Sequence, residues 1–378
     1  MAEKKRGCLG CSFPILILVV IIFLAITAVG FLSGPVGQGF LTKFGATLAF
    51  PAWLTVPQPV PHLPAPVLFH IWVIPVTNTI LAAWFTVLFL VLLSWAVTRR
   101  MKLVPGRLQV AFEFLLGWMY DFCLGVAGEH WARRFFPVVC TIFLFVLFNA
   151  WLSLIPGFGS FLYKEYEPVP AGMQVVESAH VAGEWVLIPD GTSYAPEAEV
   201  VTAEEGHGVP GEVILKDGEF MIMQHQELIR GANTDVNTPL AIAIISFFFV
   251  AFFGFKALGA GWAKQYLNFG PFFCAIGRVF RGKFSVMDIF SGFVDAFVGL
   301  LELLSLFIRI ISFTFRLFGN MTAGEILLVI VAFLVPYVLA LPFYGLELLI
   351  GFVQALVFAG LTLVFVTMAV TPHGGESH

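Results

Sequence analysis

The sequence predicts an all-α polytopic membrane protein. About six transmembrane helices are expected, with one interfacial helix, a long C-terminal antiparallel helix hairpin and a small strand-leaning extramembrane insertion. Three observations carry this. Of 378 residues, 59% are hydrophobic and 12% charged, against about 25% charged in ordinary globular domains. Crossing a bilayer as a helix takes about 20 apolar residues. Such runs occur at 13–33, 71–97, 134–155, 239–258 and 343–370, and a sixth, longer and more polar, fills 286–334. Finally, the basic residues are sorted: with alternating spans, fourteen of the twenty fall on the side of Lys4, Lys5 and Arg6, and Lys43, Lys164, Lys216 and Arg230 on the other. An excess of Lys and Arg marks the cytoplasmic side, so both termini are expected there.

The elements follow in chain order. Residues 1–69 hold an N-terminal span and an outer linker. The run 13–33 has the length of a span, although its basic start and the small residues Ala25–Ala28 also fit a signal peptide. Residues 70–156 form the first part of the membrane domain, including an interfacial helix over 105–127. There Pro105 suits a first helical turn, and Gln109, Glu113, Gly117 and Asp121 draw a polar line along an apolar rod. Residues 157–236 carry fourteen of the 24 acidic residues and three basic ones, with strand-like pieces such as EWVLIP. They are expected as an insertion on the outer face, its acidity that of a solvated surface. Residues 237–370 complete the membrane domain, and 371–378 form a cytoplasmic tail.

Several chemistries are excluded. The five cysteines (Cys8, Cys11, Cys123, Cys140 and Cys274) fall inside or within spans, so no disulfide framework is expected. CLGC has half the spacing of a metal knuckle but lacks a second pair. No phosphate-binding glycine loop, Ser/His/Asp set or HExxH is present. No cofactor, metal, nucleotide or nucleic-acid partner is expected, nor catalysis by the chain alone.

The polar residues of the last two spans hold the information. Asp288, Asp295, Glu302, Arg309 and Arg316 recur every seven residues, nearly two helical turns, so they share one slowly drifting face. The acids lie toward the cytoplasmic end and the arginines near the middle. An arginine stays charged at physiological pH and costs roughly 3 kcal/mol at the centre of a bilayer. Ion pairing that fixes helix packing is one explanation, an external counter-charge another. The link VPYVLALP (335–342) folds the last two spans into a hairpin. Arg316 then stands level with Gln354, and Glu325 with Glu347. Two neighbouring carboxylates in a low dielectric do not both ionise readily, which suits a proton relay. Asn320 lies one turn from Arg316, and Gly319, Ala323 and Gly324 permit a neighbouring helix to approach closely.

The stretch FRLFGNMTAGE, together with NAWLSLIPGF and RGANTDVNTPLA, closely resembles the signature of subunit a of F-type ATP synthases, over roughly 70–156 and 230–370. The resemblance implies that Arg316 is the essential coupling arginine. It implies a proton entry path of Asp235, Asn237, Asn320, Glu325, Glu347 and Gln354, and an exit path along Glu302 and Asp295. Asp288 and Arg309 receive no role from it. The implied partners are the c-ring of the rotor, the peripheral-stalk subunit b and the rest of the ATP synthase complex, in a bacterial inner (plasma) membrane. The chain departs from the family in its extra N-terminal span, in the 157–236 insertion, and in having carboxylates at both positions of the glutamate pair. The competing classes are a self-contained channel or transporter and a structural anchor. The sequence shows no internal repeat of the transporter kind, and an anchor leaves five regularly spaced charges unexplained.

Overall fold

The computed structural model describes residues 13–45, 51, 65–99, 101, 106–155, 158, 162–168, 173–177, 185–189, 212–216, 219–259, 261–262, 286–337 and 339–371. Cys8, Cys11, Cys274, Pro105 and the tail beyond 371 lie outside the described residues. Among the described residues there are seven α-helices: α1 (Phe13–Ser33), α2 (Pro35–Lys43), α3 (Asn78–Thr98), α4 (Arg107–Ser153), α5 (Asn237–Leu258), α6 (Val286–Leu334) and α7 (Ala340–Val370). Among the described residues, α3, α4, α5, α6 and α7 are long and apolar enough to cross a membrane, and α1 with α2 makes a sixth candidate bent by 73°. The all-α polytopic reading holds.

Contacts divide the chain into two compact units, Met1–Pro59 with Ala82–Leu154 and Gly231–His378, and Val60–Leu81 with Ile155–Arg230. The second unit holds the strands. β1 (Val67–Ile71) and β2 (Ile74–Thr77) form an antiparallel hairpin; β3 (Leu162–Pro168), β7 (Glu219–Glu227) and β6 (Glu212–Lys216) form a three-stranded sheet in that order; β4 (Met173–Glu177) pairs with β5 (Trp185–Pro189). One boundary differs from the sequence reading: residues 71–77, expected as the start of a span, are strand and turn. The run is rich in β-branched residues, and apolarity by itself does not separate a strand from a helix. Helix α3 starts at Asn78 because Thr77 caps it, its Oγ1 accepting a hydrogen bond from the Ile80 N–H at 3.4 Å.

In the first unit, α4 is two helices joined at Gly128 (φ 71°, ψ 168°), a conformation open in practice to glycine alone. The expected interfacial helix thus ends at residue 127. It folds back on the rest of α4: Trp118 lies 6.1 Å from Phe143 and Tyr120 lies 5.4 Å from Phe136, ring to ring. Met119, Cys123 and Ala127 are buried on its inner side, while Glu113, Gly117 and Asp121 face out. Gln109 donates to the Glu113 carboxylate at 2.7 Å.

Helices α6 and α7 form the expected antiparallel hairpin, with ring contacts between Phe313 and Phe358 at 4.8 Å. Lipid tails are as apolar as leucine, so these helices associate through close packing rather than hydrophobic drive. The seam of α7 accordingly uses small residues one turn apart: Gly351, Ala355 and Ala359 are all buried. A methyl on Gly351 would lie 2.8 Å from the Ala150 Cβ of α4. Gly360 rests against the Phe122 ring at 3.3 Å by the same measure. The C-terminal end of α1 packs on the closed end of the hairpin, where Gly30 and Gly34 meet the backbone carbonyls of Pro336 and Leu334.

Replacing Gly128 by alanine is expected to cost about 1–3 kcal/mol, since a methyl there meets nothing within 4 Å and only the backbone is strained. Gly125→Ala, at an equally open site within the helix, is expected to be neutral or stabilising. Thermal unfolding of the two purified variants in detergent checks the opposite signs.

Candidate functional site

The heptad row lies on α6, a single helix of 49 residues. At 1.5 Å per residue it is roughly 74 Å long, more than twice the hydrocarbon thickness of about 30 Å. A helix of this length is more than long enough to span, with tilt or with an end beyond the hydrocarbon. Of the five charged positions, Glu302, Arg309 and Arg316 are half-buried, and the side chains of Asp288 and Asp295 fall outside the described residues.

The two arginines sit in different surroundings. Arg309 stacks on the Phe365 ring, 3.6 Å from its centroid, a cation–π contact worth about 2 kcal/mol when desolvated. It borders a small cavity between α5, α6 and α7, lined also by Ser246, Phe247 and Phe313. At its edge Ser246 and Thr362 share a buried hydroxyl hydrogen bond of 2.7 Å. Arg316 instead leans on Phe313, 5.9 Å from the ring centroid, and among the described residues no carboxylate pairs with it. The surface beside it is small and open. Ser312, Gly319, Asn320 and Ala323 are exposed, and a side chain added at Gly319 would meet nothing within 4 Å.

The hairpin register brings the predicted polar residues to matching positions. Arg316 and Gln354, both half-buried, fall between the Phe313–Phe358 contact and the approach of Met321 to Gly351. Glu347 is buried, 5% exposed, and its carboxylate lies directly on Gly324, beside the half-buried Glu325. The close-approach role expected of the three small residues is therefore divided. Gly324 admits a carboxylate of its own chain, while Gly319 and Ala323 stay open.

At the start of α5, Asn237 donates to the Asp235 carboxylate at 2.9 Å. The preceding 3-10 turn, Ala232–Thr234, is fully buried. Its Asn233 accepts from Asn149 of α4 at 3.0 Å, while the Asn233 amide nitrogen and the Thr322 hydroxyl of α6 are buried without a hydrogen-bond partner among the described residues. Asn149, Asn233 and Thr322 were not among the residues singled out from the sequence. Two of them stand within the NAWLSLIPGF and GANTDVN stretches, and burial of uncharged side chains is not visible in composition.

Several apolar helices, with half-buried charges along one of them and a buried carboxylate on its hairpin partner, define a class: a polytopic helical membrane protein with ionisable groups inside its spans. The sequence profile of the family described as ATP synthase A chain matches residues 80–367. The chain belongs to this family, and is thus a proton-translocating, non-catalytic subunit type that works in complex with other ATP synthase subunits. Among curated relatives, ATP synthase subunit a of Geobacter sp. (strain M21) is 25% identical over 289 residues, covering 76% of this chain and 86% of the relative. The subunit a of Gloeobacter violaceus is 25% identical over 296 residues, 78% and 85% of the two chains. That of Solidesulfovibrio magneticus is 24% identical over 297 residues, 79% and 85%. The relatives are bacterial and the spans are several, so this is a multi-pass bacterial membrane protein.

A methyl at Gly324 would occupy the place of the Glu347 carboxylate. Gly324→Ala is therefore expected to lower proton-driven ATP synthesis by on the order of tenfold with normal amounts of assembled complex. Gly345→Ala, where a methyl meets nothing within 4 Å, is expected to be silent. Synthesis rates in energised membrane vesicles, normalised by immunoblot, check both.

Proposed function

We propose that this chain provides two proton half-channels to and from a rotating c-ring, with Arg316 between them. The observation that carries the reading is the guanidinium of Arg316, set in an apolar helix beside an open small-residue surface and without a carboxylate partner among the described residues. Its burial is offset by a mobile carboxylate on the ring.

Protons enter on the outer side past Asp235 and Asn237 and reach Glu347 and Glu325. The unpartnered Asn233 amide and Thr322 hydroxyl are suited to hold water along this route. Asn320 and Gln354 pass the proton to the ring carboxylate. After nearly a full turn through lipid the ring releases it past Glu302 and Asp295 to the inner side. Arg316 cannot relay protons because it does not lose its own. It attracts each arriving carboxylate, favours its ionised form, and so expels the proton and separates the two paths. The transmembrane potential supplies about 2.3 kcal/mol per charge per 100 mV.

In this arrangement both termini face the cytoplasm, the 157–236 insertion stands on the outer face, and subunit b holds the chain against the turning ring. Arg309, stacked on Phe365, orders the α6–α7 hairpin rather than meeting the ring.

Arg316→Ala is expected to leave the complex assembled and to reduce proton-driven ATP synthesis to background, measured in inverted membrane vesicles. Normal synthesis by that variant overturns the assigned role. Proton flux through the purified chain alone, in vesicles without the ring, would favour a self-contained channel.

A further inference from the structure

The β1–β2 hairpin has no part in the proton path, yet its surface is unusual. Trp72 and Val73 form its two-residue turn and are 98% and 89% exposed. Behind them Val67, Phe69 and Ile71 are also exposed, and no Asp, Glu, Lys or Arg occurs between Ala65 and Thr98. A solvated face of an antiparallel pair is ordinarily polar, and besides Trp72 only His70 and Thr77 of residues 67–77 carry polar side-chain groups.

The turn itself points the same way. Trp72 adopts φ 58°, at the first position of a tight hairpin turn where glycine is preferred. A bulky residue there is a genuine outlier. Glycine or asparagine would serve the turn better, so the indole is present for what it touches.

The hairpin is also tethered at a bilayer surface. Thr77, the last residue of β2, is followed directly by Asn78, the first residue of the span α3, and the Asn78 N–H donates to the Pro66 carbonyl at the base of the hairpin, 3.3 Å. Both ends of the hairpin are therefore fixed where α3 leaves the membrane.

We propose that the β1–β2 hairpin is an interfacial anchor, laying Trp72 and Val73 into the lipid headgroup region on the side where α3 begins. Tryptophan is enriched at this depth because its ring is apolar and its N–H needs a polar partner. The depth is bounded from below. A two-stranded hairpin has free edge N–H and C=O groups, which hydrocarbon cannot satisfy, so the tip stops among headgroups and upper acyl chains.

The test uses the assembled complex in lipid vesicles, with the five native cysteines replaced and a bimane label on Trp72→Cys or, separately, Val73→Cys. The expected result is blue-shifted emission, with quenching by shallow nitroxide-labelled lipids several-fold stronger than by nitroxides at mid-bilayer or by aqueous iodide. A label on Leu88→Cys, at an exposed position within α3, reports the deep nitroxides as a control. Strong iodide quenching at both tip positions would show a tip standing in water and overturn the proposal. Protection from iodide and lipid quenchers alike would show a protein partner covering the tip, and would overturn it equally. Using two tip positions guards against a local disturbance of the turn by either substitution.

Discussion

A permanent positive charge held within an apolar helix is the constraint on which the rest of the molecule depends. Placing it at mid-bilayer costs roughly 3 kcal/mol, and a chain of such marginal stability does not carry that cost without a compensating contact. Two arginines seven residues apart on α6 meet it in different ways. Arg309 has its guanidinium over the Phe365 ring beside a small, largely apolar cavity inside the chain. Arg316 has its stem along Phe313 and its surroundings open. One guanidinium packs on a ring of the neighbouring helix, and the other lies beside an open small-residue surface.

The architecture around α6 keeps that surface open. Because α6 is long, it presents an extended surface, and α7 runs along it so that the polar positions of the hairpin stay together. Helices in lipid gain little from burying more apolar area, so the backing is built from contact. Small residues of α7 lie against Ala150 and Phe122, and a nest of rings joins α4 to α5. Phe135 is 5.0 Å from Phe253 and 5.9 Å from Phe249. The Trp151 indole N–H donates to the Leu348 carbonyl at 3.1 Å, tying the end of α4 to α7 one residue from Glu347. The support is placed behind the hairpin, which leaves the Gly319–Ala323 surface clear.

Much of this was legible in the sequence, for identifiable reasons. A run of twenty apolar residues has few fates, and a heptad row of charges in such a run defines a face whatever packs on it. The antiparallel hairpin followed from its short link. The polar line from Gln109 to Asp121 marked an amphipathic helix, and Gly128 breaks it from the rest of α4. The start of α3 was misjudged because Ile71–Thr77 is as apolar as the helix that follows, and the signal that separates them, Thr77 as a cap, is a single hydroxyl. The seam of Gly351, Ala355 and Ala359 was present as small residues at helical spacing, but that pattern is common in membrane helices and shows no partner.

The sequence by itself determined the class of protein, the spans, the hairpin and the row of charges on α6, because bilayer thickness and helical periodicity translate directly into residue counts. Only the tertiary structure decided which arginine packs on an aromatic ring of α7 and which lies beside the open small-residue surface. It alone placed the Glu347 carboxylate on Gly324 and joined Asn149 to Asn233 across 84 residues of sequence. Those are choices among packing partners far apart in the chain, and no local periodicity encodes them.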